Sequence, residues 1–98
     1  MTTYYVTRHP GAIKWVNQQD IQVEKQIDHL DLETVKSGDI VIGSLPVNLA
    51  AEICQRGARY IHLSLDLSQD MRGKELTVED MINCNARLEE FVVTRKEK

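Results

Sequence analysis

The sequence lacks long apolar runs, an excess of positive charge and a cysteine framework, and each absence excludes a class of protein. No apolar segment among the 98 residues approaches the roughly 18 residues that a transmembrane helix needs. Fifteen acidic residues against 12 lysines and arginines give a net charge of −3, which argues against a surface for long duplex DNA. The first residues show neither the basic nor the apolar segment of a secretory signal, so we expect a cytoplasmic protein with no membrane partner.

Cysteine and histidine are also scarce. The two cysteines, Cys54 and Cys84, fit neither a CxxC nor a zinc-ligand spacing, and we interpret both as small buried hydrophobic side chains in a reducing compartment. The three histidines lie on separate segments of the chain. The sequence therefore predicts no metal site, and nothing in it requires a cofactor.

The glycine-rich phosphate-binding motifs are absent as well. The chain has no GxxxxGK followed by Ser or Thr, and the segment His9-Pro10-Gly11-Ala12 carries a single glycine where GxGxxG needs three. These absences argue against a P-loop nucleotidase and against a classical dinucleotide site. They leave open a small anionic ligand held in a locally basic pocket.

Short apolar runs alternate with helical patterns along most of the chain. The pattern predicts strands over 3–8, 21–27, 39–42 and 58–65 and helices over 12–19, 46–56 and 77–90, and it leaves a last short strand over 91–94 open. This alternation is typical of an α/β domain with a mainly parallel, twisted sheet of four or five strands flanked by helices. We expect the strand order 2-1-3-4, one domain over 1–94 and a solvated tail over 95–98.

In such a sheet, ligands bind beyond the carboxyl ends of the strands at the switch point, where the strand order reverses. Three segments converge there, namely 8–11, 43–46 and 64–66. Two of them lead directly into helices, whose free N–H groups and dipole favour an anion. Arg8, His9 and Lys14 add formal or potential positive charge near this point. The other candidate ligand-binding residues are Gly11, Ser44, Leu45, Pro46, Ser64, Asp66 and Arg72.

Several of these candidates also have a purely structural interpretation. Ser44 suits a helix N-cap, and Asp66 suits a turn cap. Arg72 lies in the loop 66–76, where a solvated side chain is the ordinary expectation. The same loop is long enough to fold over the switch point as a lid.

Other polar and aromatic residues have weaker functional interpretations. Asp28 follows the second strand, where a ribose-binding acid would lie, but without the glycines we interpret it as a solvated turn residue. We interpret His29 as a surface residue and Trp15 as part of the core. His62 shares the polar face of its strand with Tyr60, which predicts a hydrogen-bonded histidine under a helix or at a dimer interface, or a contribution to the pocket.

Three groups of residues together resemble the type III CRISPR-associated accessory family Csx-sixteen. The groups are 7–12 (TRHPGA), 43–47 (GSLPV) with 50–52 (AAE), and 60–66 (YIHLSLD) with 72–76 (RGKEL). The likeness runs from Thr3 to about Phe91. It implies a Rossmann-like fold related to cyclic-oligoadenylate-sensing domains, and a homodimer that binds cyclic tetra-adenylate and cleaves it as a ring nuclease.

The resemblance also implies a chemistry that needs no metal. A ribose 2′-OH can attack its neighbouring phosphate and leave a 2′,3′-cyclic phosphate and a free 5′-OH. Arg8 suits the stabilisation of the charge that develops on the phosphorane, and His9 suits proton transfer. Two alternatives stay open: a non-catalytic protein that binds the cyclic nucleotide as a sponge or sensor, and an unrelated α/β protein that acts through protein contacts.

Overall fold

The strands and helices follow the predicted alternation. The structure is a computed structural model that describes residues 1–96. Its strands are β1 (Thr3–Val6), β2 (Lys25–Ile27), β3 (Ile40–Gly43), β4 (Arg59–Ser64) and β5 (Arg87–Phe91). Its α-helices are α1 (Pro10–Asn17), α2 (Val47–Gln55) and α3 (Val78–Asn83), and short 3-10 helices cover Leu32–Thr34 and Gln69–Met71.

The sheet has the order β2-β1-β3-β4-β5, which confirms the predicted order 2-1-3-4 and adds β5 at the far edge. The first four strands are parallel, and β5 is antiparallel to β4. Every residue of β3 is buried, as a continuous apolar run in a central parallel strand should be. The result is a small α/β domain with a mainly parallel sheet and a Rossmann-like arrangement of helices.

Helices cover both faces of the sheet, so the core has two layers. On one face, Trp15 and Val16 of α1 and Met81 of α3 pack with Tyr5 and Ile42. The predicted core position of Trp15 is confirmed, since only 4% of the residue is exposed. The other face has its own apolar layer, which includes Tyr4, Val35, Val41, Ala50, Ile53 and Tyr60. A helix on each face is what places a switch point between β1 and β3.

The predicted helix over 77–90 is wrong in its second half. The helix begins as expected, with a capping box between Thr77 and Asp80, but it ends at Asn83, and Asn85 adopts a left-handed backbone with φ 56°. The chain then turns back as β5, which pairs with β4 and replaces the strand left open at 91–94. Met81, Cys84 and Leu88 have the spacing of one helix face, which explains the error.

The second strand is also shorter than the predicted 21–27. It pairs only with β1, and since Tyr4 lies opposite Lys25, the residues before Glu24 have no strand residue to pair with. Ile21 and Val23 instead pack against the core layer on the α1 face. The alternation of apolar and polar residues over 21–27 therefore reflects burial of one side of this segment. It does not show that the whole segment is a strand.

A buried aspartate ties the start of β3 to its neighbours. Both carboxylate oxygens of Asp39 accept backbone hydrogen bonds, from the N–H of Thr2 and from the N–H of Lys36, each at 2.9 Å. These bonds hold the pKa of Asp39 below its ordinary value, the Lys36 N–H having the largest effect. The contact fixes where β3 enters the sheet beside β1.

The remaining expectations concern the membrane, the cysteines and the tail. In residues 1–96 no helix has the length and apolar character to cross a membrane. Cys84 is buried, Cys54 is half-buried, and neither forms a disulfide. Of the predicted solvated tail, Arg95 and Lys96 are exposed, and residues 97–98 lie outside the described residues.

Candidate functional site

The parallel strands bring the segments that follow them to one edge of the sheet. Val6, the last residue of β1, lies opposite both Ile27 and Gly43 in register, and Gly43 lies opposite His62. The residues after β1, β2 and β3 are therefore neighbours at the switch point. Two depressions open at this edge, one on each side of His9 and Ser44.

The first depression, which we call the polar cleft, has a volume of about 270 Å³. It is lined by Tyr5, Val6, Thr7, Arg8, His9, Asp28, His29, Ser44 and Leu45. The chain after β1 is anchored here to β2: Thr7 donates its N–H to the carbonyl oxygen of Ile27 at 3.0 Å, and Gln26 Nε2 donates to the carbonyl oxygen of Thr7 at 2.7 Å. Arg8 and His9, both exposed, thus project from an anchored backbone.

The second depression, which we call the apolar cavity, has a volume of about 290 Å³. It is lined by His9, Ala12, Ser44, Leu65, Leu67, Met71, Gly73, Lys74, Leu76 and Met81. Five of the lining residues come from the loop 66–76, which is long enough to fold over the switch point as a lid. That loop forms one wall of the cavity.

The 43–46 loop separates the polar cleft from the apolar cavity, and the hydroxyl of Tyr60 holds it. This hydroxyl accepts the N–H of Leu45 at 2.9 Å, lies 3.1 Å from the carbonyl oxygen of Gly43, and is 2.7 Å from His62 Nδ1. In the tautomer of His62 that carries a proton on Nδ1, the hydroxyl donates to the carbonyl oxygen of Gly43 and accepts from both the Leu45 N–H and Nδ1. Burial raises the pKa of Tyr60, so the hydroxyl stays neutral.

His62 therefore has the hydrogen-bonded role that its structural interpretation predicted. The residue is half-buried and lies outside the polar cleft and the apolar cavity. Its contact with the Tyr60 hydroxyl connects it to the 43–46 loop.

Ser44 is not the helix N-cap that its position suggested. Its hydroxyl donates to the carbonyl oxygen of Leu63 at 2.8 Å, and Pro46 occupies the N-cap position of α2. Leu49 makes the first backbone bond of this helix, to the carbonyl oxygen of Pro46. The N–H groups of Val47 and Asn48 come before that bond, at the same edge as the polar cleft.

Gly11 and Lys14 lie away from the polar cleft and the apolar cavity. They line a separate cleft between α1 and the segment 75–79. Gly11 is buried, and a Cβ at this position would overlap the carbonyl oxygen of Leu76. The structure therefore gives Gly11 a packing role, since only glycine lets α1 approach the segment that leads into α3.

Ser64, Asp66 and Arg72 also lie outside the polar cleft and the apolar cavity. Ser64 is paired with Arg87 of β5. Asp66 accepts hydrogen bonds from Asn85 Nδ2 and from Arg87, each at 3.2 Å, and these bonds lower its pKa, that from Asn85 having the largest effect. Arg72 is exposed after the short 3-10 helix Gln69–Met71. Asn85 and Arg87 reach Asp66 because the chain turns into the antiparallel β5. The predicted helix over 77–90 gave no reason to expect these partners.

Sequence reasoning missed two groups that the structure brings to the site. Asp28 and His29 share the polar cleft with Arg8, although we interpreted them as turn and surface residues. A signal was available, because Asp28 follows β2 and the carboxyl ends of adjacent parallel strands meet at one edge. The apolar residues of the loop, Leu67 and Met71 among them, had no comparable signal.

A larger cleft of about 630 Å³ lies at the opposite edge of the sheet. It is formed by the second half of α2 and the segment 92–96, and no predicted site residue lines it. Within the described part of the chain, no three histidine, cysteine or acidic side chains are grouped as a metal ion would require.

Comparison with protein families gives one match that spans most of the chain. The family described as "Putative CRISPR-associated protein (Cas_VVA1548)" matches residues 4–94. The chain belongs to this family. Membership establishes the CRISPR association that the resemblance implied, and leaves the activity on a cyclic nucleotide to be tested. Comparison with curated proteins found no match, and comparison with solved structures found none.

Removing the Tyr60 hydroxyl should destabilise the 43–46 loop and lower the stability of the fold. Tyr60→Phe leaves the buried carbonyl of Gly43 and the N–H of Leu45 without their partner, so we expect a loss of about 1–3 kcal/mol in the free energy of unfolding. Urea unfolding measures the loss, and hydrogen exchange should be faster at the Leu45 amide.

Tyr4→Phe is the matched control. The hydroxyl of Tyr4 has one long bond, 3.4 Å to the carbonyl oxygen of Thr34, so this variant should lose less stability. Equal losses in the two variants would contradict a special role for Tyr60.

Proposed function

We propose that this protein is a ring nuclease that binds and cleaves cyclic tetra-adenylate and so switches off the antiviral signal of type III CRISPR defence in the cytoplasm. Membership of a CRISPR-associated family supports the biological context. One structural observation supports the biochemical part: Arg8, His9 and Ser44 line one polar cleft at the switch point, and His9 and Ser44 also line the apolar cavity. That edge suits a ligand that carries both phosphates and flat apolar groups.

The proposed reaction is an in-line transesterification. The ribose 2′-oxygen forms a bond to the adjacent phosphorus while the bond from phosphorus to the 5′-oxygen breaks. The 2′-OH proton leaves to a base, and the 5′-oxygen leaving group takes up a proton. Anchoring of the backbone after β1 supports the alignment that this step needs.

Arg8 and His9 have different roles in the proposed reaction. The Arg8 guanidinium stabilises the negative charge that grows on the phosphorane oxygens, together with the N–H groups at the start of α2. The imidazole of His9 transfers the proton, the role that histidine most often has in general acid–base catalysis. The chain's own groups thus supply the charge and the proton transfer, and the reaction proceeds without a metal ion.

One observation favours the alternative of a binding protein without chemistry. The His9 side chain makes no capping hydrogen bond to α1, so no such bond orients its imidazole. A sponge or sensor for the cyclic nucleotide needs the same polar cleft but no oriented proton-transfer group. Product analysis separates the two functions.

The assay of function is incubation with cyclic oligoadenylates of several ring sizes in EDTA, followed by chromatography. We expect cyclic tetra-adenylate to give linear products that end in a 2′,3′-cyclic phosphate, at a rate that EDTA does not change. Loss of turnover in EDTA that a divalent ion restores would contradict the metal-independent mechanism. Tight binding with no product under excess substrate would show the binding protein instead.

Variants of Arg8 and His9 should separate binding from chemistry. Arg8→Ala should weaken both ligand affinity and cleavage, because the guanidinium contacts the phosphate in the ground state and in the transition state. His9→Ala should keep most of the affinity and lose about 10²–10⁴-fold in single-turnover rate. Gel shift and single-turnover cleavage give the two quantities.

Arg56→Ala is the matched control for loss of an arginine, since Arg56 ends α2 at the opposite edge of the sheet. This control should bind and cleave normally. A His9→Ala variant that cleaves at the wild-type rate would remove the proton-transfer role, and normal behaviour of both test variants would place the site elsewhere.

We also propose a homodimer with the ligand on its two-fold axis. A ring of four identical nucleotides matches a two-fold pair of identical half-sites, and depressions of about 270 and 290 Å³ are small for a ligand of that size. Light scattering should give the mass of a dimer, alone or with cyclic tetra-adenylate. A monomer under both conditions would rule out this assembly.

A further inference from the structure

We propose that the apolar cavity is a nucleobase subsite, and that the polar cleft holds the ribose and phosphate of the same nucleotide. The identity of that nucleotide as one unit of the cyclic ligand rests on the proposed function. The existence of a base-binding cavity beside an anion-binding cleft stands on geometry alone.

The walls of the apolar cavity suit the faces of a planar heterocycle. Leu65, Leu67, Met71, Leu76 and Met81 present aliphatic or thioether side chains around a space of about 290 Å³. Pockets for small ligands range upward from about 300 Å³. This space is therefore at the small end of the range, and it suits a single base better than two linked nucleotides. Burying an apolar ring face against such side chains is favourable.

Few polar side chains line the cavity. His9 and Ser44 border it on the side of the polar cleft, and Lys74 contributes an ammonium group from the loop. The Ser44 hydroxyl donates a hydrogen bond to the carbonyl oxygen of Leu63, so the lone pairs of the Ser44 oxygen remain available to accept one. An exocyclic amino group or a ribose hydroxyl is a suitable donor to them.

The adjacent polar cleft favours a nucleotide over a purely apolar ligand. His9 and Ser44 line both depressions, so the two lie side by side at this edge of the sheet. Arg8 lines the polar cleft, and aliphatic side chains line the apolar cavity. A nucleotide joins an anionic phosphate to a flat base through a ribose, which matches this pair of depressions.

The test compares adenosine 5′-monophosphate with ribose 5-phosphate as NMR titrants of the intact, isotope-labelled chain. We expect the nucleotide to bind about tenfold more tightly, because its base buries apolar surface against the cavity wall, whereas ribose 5-phosphate has no base to bury. The nucleotide should shift amide signals at Leu67, Gly73 and Leu76, and both titrants should shift those of Arg8 and Ser44. Equal affinities, or no detectable binding of the nucleotide, would overturn the subsite.

Leu67→Gln replaces an apolar wall with a neutral polar side chain of similar length. Leu67 is 38% exposed, so the fold should survive the change, and Met71→Gln is a second variant of the same wall. Both should abolish most of the preference for the nucleotide and keep the affinity for ribose 5-phosphate. Ile82→Gln, an exposed position on α3 outside the cavity, is the matched control and should keep the preference.

The outcomes distinguish this proposal from the proposed function. If cyclic tetra-adenylate is neither bound nor cleaved while the nucleotide preference depends on Leu67, the subsite stands and the ring-nuclease function fails. If Leu67→Gln and Met71→Gln both cleave cyclic tetra-adenylate with wild-type KM, the subsite is overturned and the ring nuclease stands.

Discussion

The candidate site depends on one buried hydroxyl, that of Tyr60. Three polar groups surround it, and two of them belong to the loop that begins where β3 ends. That loop carries Ser44 and Leu45 between the polar cleft and the apolar cavity, so the shape of both depressions follows from its position. A backbone N–H and a carbonyl at a buried strand end need partners, and a tyrosine on the adjacent strand supplies them without adding charge.

The reversal of strand order explains how an acidic chain can still bring positively charged groups to one edge of the sheet. The net charge of −3 describes the whole surface, whereas binding depends on the groups within a few ångströms of the ligand. The order β2-β1-β3 places Arg8, His9 and the start of α2 at one edge. Asp28 enters the same cleft. A carboxylate repels a phosphate and accepts from a ribose hydroxyl, so Asp28 suits the ribose of the proposed ligand.

Local patterns predicted those parts of the fold that local physics decides. The continuous apolar run of β3 predicts a central parallel strand, and the Thr77–Asp80 capping box marks the start of α3. The end of α3 was mispredicted because apolar spacing fits both a longer helix and a turn into β5. Only the pairing of β5 with β4 decides between them, and that pairing is tertiary.

The candidate site was likewise predictable where strand order decides which residues meet, and unpredictable where tertiary pairing decides it. Arg8, His9 and Ser44 follow strand ends, so topology alone brings them together. Asp66 also follows a strand end, but the unforeseen β5 places Asn85 and Arg87 beside its carboxylate. Partners from distant parts of the chain decide whether such a side chain is available to a ligand.

The orientation of the Ser44 hydroxyl limits what the site can do with a phosphate. Phosphate oxygens only accept hydrogen bonds, and the single proton of this hydroxyl is donated to Leu63 at 2.8 Å. Ser44 is therefore a poor phosphate ligand as it stands and a good acceptor for a ribose or amino donor. Positive charge and free donors for the phosphate must come from Arg8, from His9 and from the first N–H groups of α2. In the proposed site, phosphate and ribose recognition in the polar cleft and base recognition in the apolar cavity thus fall on opposite sides of the 43–46 loop, which Tyr60 holds in place.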